Sequence, residues 1–272
     1  MGLSRWTALL LCLALAACNR PAPPAAASEA AGAKASGSSL RTQPVVLKDR
    51  RARPGLEQQD DIRASISLLQ TAEAGIDRRI EQWVGSLCPR QPETKLNPPN
   101  AQACLKLLMS ECLALAEAGG RTPARCTYQA EVKLVYNDHF LLSLSHESYY
   151  DSGGAHGLAN IAYLNIDRRS GKTLALSDLI TVPTETLQGL LEKNLRTALN
   201  VPPQAALKAS GFFEDRLPVS DNVAIDSQGL RFTYSAYQVA PYSMGLPNIR
   251  VPYAELAAHL APDSPLARLW PP

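Results

Sequence analysis

Four cysteines, Cys88, Cys104, Cys112 and Cys126, fall in one short stretch of this 272-residue chain. They restrict its fold more than any other feature. No pair among them has the two-to-four-residue spacing of a zinc finger. In an oxidising compartment, four cysteines suggest two disulfides. Three pairings exist, and one is excluded. Cys104 and Cys112 read as lying on one helix, eight residues apart. That separation is a rise of about 12 Å, whereas bridged Cα atoms lie within roughly 7 Å. Cys88–Cys104 with Cys112–Cys126 closes the shortest loops and is the preferred pairing. Each bridge would contribute on the order of 3 kcal/mol by loop entropy. The third pairing stays open.

The amino terminus points to such a compartment. Residues 1–5 are short and basic through Arg5, and residues 6–15 are apolar apart from Thr7. Leu15-Ala16-Ala17-Cys18 then resembles a lipobox. The apolar run is too short to remain as a spanning helix. Residues 1–17 are read as a lipoprotein signal peptide, and Cys18 as the lipidated residue of the mature chain. Cys12 leaves with the signal. Each buried acyl methylene contributes about 0.8 kcal/mol, so several chains together hold the protein at a bilayer. Asn19 stands where an Asp would favour inner-membrane retention. The expected location is therefore the outer membrane, facing the periplasm.

A hydrophobic content of 46% is ample for a core, and a net charge of +2 argues against a nucleic-acid partner. Residues 18–59 are poor in large apolar side chains and read as a disordered linker. Residues 60–127 are expected to form a helical, disulfide-bonded region. Ile62, Ile66, Leu69, Ile76, Ile80, Trp83 and Leu87 recur at helical intervals, which predicts one long helix ending at Pro89. Leu105, Leu108, Cys112 and Leu115 predict a second, ending at Gly119-Gly120. From Tyr128 onward the period changes to two. Strands are expected around Ala130–Val132–Leu134, Phe140–Leu142–Leu144 and Ile161–Tyr163–Asn165. A helix through Leu187, Leu191 and Leu195 follows, then a hairpin, a short strand and a closing helix. The expected class is α+β: an antiparallel β-sheet packed with helices, preceded by a disulfide-bonded helical hairpin.

Chemistry concentrates in Tyr149-Tyr150-Asp151-Ser152-Gly153-Gly154-Ala155-His156-Gly157. Three glycines in five positions permit positive φ and close backbone approach. Two tyrosines lead in, and one histidine sits among small residues. Tyr234, Tyr237 and Tyr242 form a second aromatic region, which an antiparallel sheet can bring beside the first. Tyr149, Tyr150, Asp151, Gly153, Gly154, His156, Tyr237 and Tyr242 are the candidate ligand-binding residues. No nucleophile elbow is present, and Ser152, His156 and Asp151 are too close in sequence to orient as a triad. His139 and His146 have opposite strand parity, which weakens a shared metal site. No cofactor and no catalytic residue are expected.

The Gly153–Gly157 string resembles the signature of the RsiV-type domain of unknown function. The order after it is similar: Asn165-Ile166-Asp167, Gly171-Lys172, Leu176-Ser177-Asp178-Leu179, Gly229-Leu230-Arg231-Phe232, Tyr237-Gln238-Val239-Ala240-Pro241-Tyr242, Gly245 and Val251-Pro252-Tyr253. Residues 128–272 are accordingly read as an RsiV-type α+β domain. The resemblance implies an extracytoplasmic sensor domain, found in anti-sigma factors that bind lysozyme and beside peptidoglycan deacetylase domains. This chain shows neither a spanning helix nor a deacetylase domain, so only lysozyme binding is expected to transfer. The leading expectation is a non-enzymatic, lipid-anchored binding module whose partner is a lysozyme-like muramidase or peptidoglycan. The alternatives are a peptidoglycan-active hydrolase or deacetylase, using His156 with Asp151 or Glu147, and a structural protein of envelope assembly.

Overall fold

The computed structural model describes residues 41–49, 61–89, 97–118 and 125–269, with the backbone alone for 41–49. The residues read as a signal peptide, Cys18 and the remainder of the expected linker lie outside the described residues.

The described residues are α+β, with two β-sheets and helices. Five strands form the larger sheet: β1 (Arg41–Asp49), β2 (Asp61–Gln70), β3 (Arg125–Asn137), β4 (Leu141–Asp151) and β5 (Leu158–Asp167), side by side in chain order. It is a mixed sheet rather than a purely antiparallel one, because β2 runs parallel to β3. A parallel pair needs a crossover. Two helices supply it, α1 (Ala74–Ser86) and α2 (Ala101–Ala118). The helical region therefore interrupts the sheet instead of preceding it.

Two further expectations are corrected. Residues 41–49, read as part of a disordered linker, pair antiparallel with β2 as the edge strand; an edge tolerates Pro44. The long helix expected from Ile62 begins only at Ala74. Ile62, Ala64, Ile66 and Leu68 are buried in alternation on β2. Their spacing fits a period of two as well as it fits a helix, and flanking strands on both sides decide between them.

Cysteine geometry matches the preferred pairing. Cys88 and Cys104 are bonded with Cα atoms 5.5 Å apart, and Cys112 and Cys126 with Cα atoms 6.0 Å apart. One bridge ties the end of α1 to α2, and the other ties α2 to β3. Asn100 starts α2 by accepting the Ala103 N–H on Oδ1 (2.8 Å), and Glu81 of α1 accepts the Ala101 N–H (3.0 Å). Leu105, Leu108, Ile76, Ile80 and Val84 bury against Ile66, Leu68, Tyr128, Val132, Leu142 and Leu144 of the sheet.

The second sheet is β6 (Val223–Ile225), β7 (Gly229–Thr233) and β8 (Asn248–Pro252), all antiparallel. Short α3 (Leu176–Leu179), α4 (Thr184–Leu199) and α5 (Tyr253–Leu256) accompany it. Leu187, Leu191 and Leu195 of α4 share a core with Phe232, Ile249 and Val251, and Leu141 of β4 joins it from the first sheet. Asparagines dock the sheets. Asn165 donates from Nδ2 to the Val223 carbonyl (2.7 Å) and accepts the Ile225 N–H (3.1 Å). Asn222 accepts the Tyr163 N–H (3.0 Å) and donates to the Ile161 carbonyl (2.8 Å).

Candidate functional site

On β4 the residues Leu141, Ser143 and Ser145 face away from α1 and α2 and are buried. Glu147 is half-buried, and Tyr149 is 38% exposed. Cover from the second sheet runs out along the strand. At the uncovered end, residues 152–157 turn from β4 into β5.

Neighbouring strand residues point to opposite faces, so Tyr149 and Tyr150 separate. Tyr150 lies half-buried on the helix side, edge-on to Tyr128 with ring centroids 6.2 Å apart, and packs beside Ile62, Cys112 and Cys126. Burial raises its hydroxyl pKa. Tyr149 instead covers Gly157, where any Cβ would collide with its ring. Asp151 holds the turn by accepting the Gly153 N–H on Oδ1 (2.8 Å). Gly153 has φ +86°, a conformation that favours glycine. Gly154 is exposed and has open space around it.

His156 meets the second aromatic region. Its Nδ1 lies 2.9 Å from the Gly157 carbonyl, which can only accept, so Nδ1 carries the proton. In the neutral ring Nε2 is then an acceptor, and the Tyr237 hydroxyl donates to it at 3.1 Å. The His156 and Tyr237 rings are 6.4 Å apart with 26° between planes. Tyr242 stacks on His156 at 4.6 Å and 21°, and lies 6.0 Å from Tyr237 at 24°. His156 and Tyr237 are exposed, while Tyr242 is half-buried. Tyr237 itself sits at φ +64°, which costs a bulky side chain on the order of 1–3 kcal/mol. Its hydrogen bond and stack hold it there.

His156, Tyr237 and Tyr242 thus form one aromatic ridge, assembled from segments 81 residues apart, and Tyr149 flanks its loop at Gly157. Asp151, Gly153 and Gly157 shape its loop, and Tyr150 lies outside it. Tyr234 belongs to the core, fully buried with its hydroxyl on the Pro218 carbonyl (2.7 Å). Exposed Met244, two residues past Tyr242, was no sequence candidate. Only the Tyr-rich context of that loop could have signalled it.

Neither ring nitrogen of His156 bonds a carboxylate. Glu147 pairs with Lys133 at 2.6 Å instead. His146 is buried on the helix face beside Trp83 (centroids 5.9 Å) and the Tyr128 hydroxyl (3.5 Å), and burial lowers its pKa to about 4. His139 lies in the bend before β4. No group of three metal-ligating side chains occurs among the described residues, and no helix among them is long and apolar enough to cross a membrane.

Comparison with known proteins gives a family only for part of the chain. Residues 177–254 match the family described as "Protein of unknown function (DUF3298)". That span holds Tyr237 and Tyr242 but not the glycine loop. No curated protein matches. A crystal structure of a DUF3298 family member from Bacteroides fragilis is similar at 18% identity and a TM-score of 0.66, over 86% of this chain and 98% of that one. A DUF3298 family protein from Pseudomonas aeruginosa is similar at 20% identity and a TM-score of 0.59, over 82% of this chain and 95% of that one. Residues 177–254 are therefore similar to the DUF3298 family, within a fold that these two structures share.

Proposed function

We propose that this protein is a lipid-anchored binding module of the cell envelope, acting in the periplasm from the outer membrane. Its binding surface is the ridge of His156, Tyr237 and Tyr242, with Tyr149 flanking its loop. The observation that carries the reading is the three-ring cluster, in which an exposed histidine is locked between two tyrosines and hydrogen-bonded at both nitrogens. Exposed, immobilised aromatic rings suit recognition, because little side-chain entropy remains to be lost on binding. A histidine engaged in this way is a poor general base, which favours holding over converting. The RsiV-type resemblance makes a lysozyme-like muramidase one candidate partner, and the lipobox makes peptidoglycan the other. The α1–α2 pair, read as a disulfide-closed helical hairpin, braces the sheet from the face opposite Tyr149.

Calorimetric titration of the purified protein with lysozyme, and separately with solubilised peptidoglycan fragments, tests the reading. Binding of either, weakened by Tyr237→Ala and His156→Ala in folded variants, is expected. Binding of neither refutes it, as does turnover of peptidoglycan by the pure protein. Mass spectrometry should find acyl groups on Cys18; an unmodified Cys18 in the cell-derived protein would refute the anchor.

A further inference from the structure

We infer that the ridge takes a neutral sugar chain, and that the His156–Tyr237 pair is a platform on which pyranose rings stack; this rests on the binding reading above. The shape comes first. With the Tyr237 hydroxyl on His156 Nε2 at 3.1 Å and only 26° between their planes, the two rings lie nearly edge to edge. Tyr242 backs both of them, 4.6 Å from one and 6.0 Å from the other. The result is a flat plate two rings long, with both of its residues exposed and Tyr242 half-buried against it. Its two centroids are 6.4 Å apart, which lets neighbouring units of a linear glycan meet neighbouring rings.

The chemistry fits the same ligand. Aromatic faces are electron-rich. The hydrogen-bearing face of a pyranose offers weakly polarised, poorly hydrated C–H groups, which complement such faces without any charge. The plate contains no carboxylate, lysine or arginine side chain. A polar residue, Gln238, follows Tyr237 in the chain. Gln238 is exposed and fixed through its Oε1, which accepts the Ser235 N–H (2.9 Å). Its two side-chain N–H donors have no partner among the described residues and suit sugar hydroxyls. A standard protein interface covers roughly 800 Å² on each side; a two-ring plate with one amide adjacent in the chain suits a smaller, flatter ligand.

The test uses the mature protein in detergent and chitotetraose as a soluble pyranose chain, followed by calorimetry and by NMR shifts of the His156 ring. Chitotetraose should bind and shift those signals, with monomeric N-acetylglucosamine much weaker. Tyr237→Ala and His156→Ala should each weaken chitotetraose about tenfold, the scale of one lost stacking ring. Tyr237→Trp should keep or improve binding. Thermal melting identifies any variant that fails to fold, and His156→Ala serves if Tyr237→Ala does. Absence of chitotetraose binding, or binding indifferent to both alanine variants, overturns the inference. Lysozyme binding that needs the same residues, without sugar binding, overturns the inference and leaves the binding module standing. Failure with lysozyme, peptidoglycan and chitotetraose alike overturns both.

Discussion

Replacing Asn165 by alanine should loosen the junction between the two sheets. Asn165 is 3% exposed, and its side chain makes three hydrogen bonds. Its Oδ1 accepts the Ser143 hydroxyl (2.7 Å) and the Ile225 N–H (3.1 Å), and its Nδ2 donates to the Val223 carbonyl (2.7 Å). Alanine removes all three partners at once. Ile225 N–H and Val223 C=O are backbone groups of β6, and both residues are buried. Each orphaned group of this kind costs about 1–3 kcal/mol. Ser143 is fully buried but can rotate its hydroxyl, so it adds little. The expected loss is about 4 kcal/mol, a large share of the 5–15 kcal/mol typical of a domain. At about 2–4 °C per kcal/mol for a chain of this size, melting should fall by roughly 8–16 °C. Urea unfolding without reductant measures the free energy directly. Ser143→Ala supplies a second arm. Because Ser143 and Asn165 share a bond, the double variant should lose less than the sum of the singles. A loss below about 1 kcal/mol for Asn165→Ala, or strict additivity with Ser143→Ala, would refute the docking role.

Other perturbations have equally definite signs. Burial pushes His146 down to about 4, against an ordinary value near 6.5 in the unfolded chain. The unfolded chain therefore binds the extra proton in that window, and stability present above about pH 6.5 falls as pH drops toward about 4, by up to about 3 kcal/mol. His146→Gln should flatten that part of a urea-stability profile, and an unchanged slope would show that His146 is not the titrating group. Gly85→Ala should destabilise by about 1–3 kcal/mol, because its Cβ would press on the Pro98 carbonyl and Asn100 nitrogen, both backbone. Gly75→Ala in the same helix meets nothing within 4 Å and should stabilise by about 0.5–1 kcal/mol. Equal signs for these two in thermal melts would contradict the packing of α1 against the start of α2. Removing the bridge of separation 14 with Cys112→Ser and Cys126→Ser should lower stability by about 3 kcal/mol in non-reducing denaturation; no loss would mean that the bridge does not form.

Legibility in the sequence followed locality. Strand β3 was readable because Tyr128, Ala130 and Val132 alternate with polar residues, and the turn after it because Asp138 can accept nearby N–H groups. It takes those of Phe140 and Leu141 at 2.6 and 2.7 Å. Helix α4 was readable because Leu187, Leu191 and Leu195 repeat on one face over four turns that a single glycine, Gly189, does not interrupt. Residues 62–70 misled because Ile62 and Ile66 satisfy both periods. Only β1 and the parallel neighbour β3, more than 50 residues away, settle them as strand. Parity separated Tyr149 from Tyr150 in principle, but alternation names two faces without saying which one a later element will cover.

That missing information is what builds the ridge. His156 sits on a loop of the first sheet, and Tyr237 and Tyr242 on a loop beyond β7. No local pattern states the distance between them. Their meeting depends on how the second sheet docks, and the docking is set by polar side chains that bridge strand to strand. Asn222 reaches the Tyr163 N–H, the Ile161 carbonyl and the Thr233 carbonyl (3.4 Å), and Thr233 is the last residue of β7 before the tyrosine loop. Asn165 does the same one step along β5. Apolar contacts alone would let the sheets slide, since dispersion is weakly directional, whereas a buried amide with fixed partners tolerates one register. The asparagines therefore act at a distance on the aromatic site. A variant that loses them can keep both hydrophobic clusters and still fail to bring His156 under the Tyr237 hydroxyl. Binding should fall before global unfolding does.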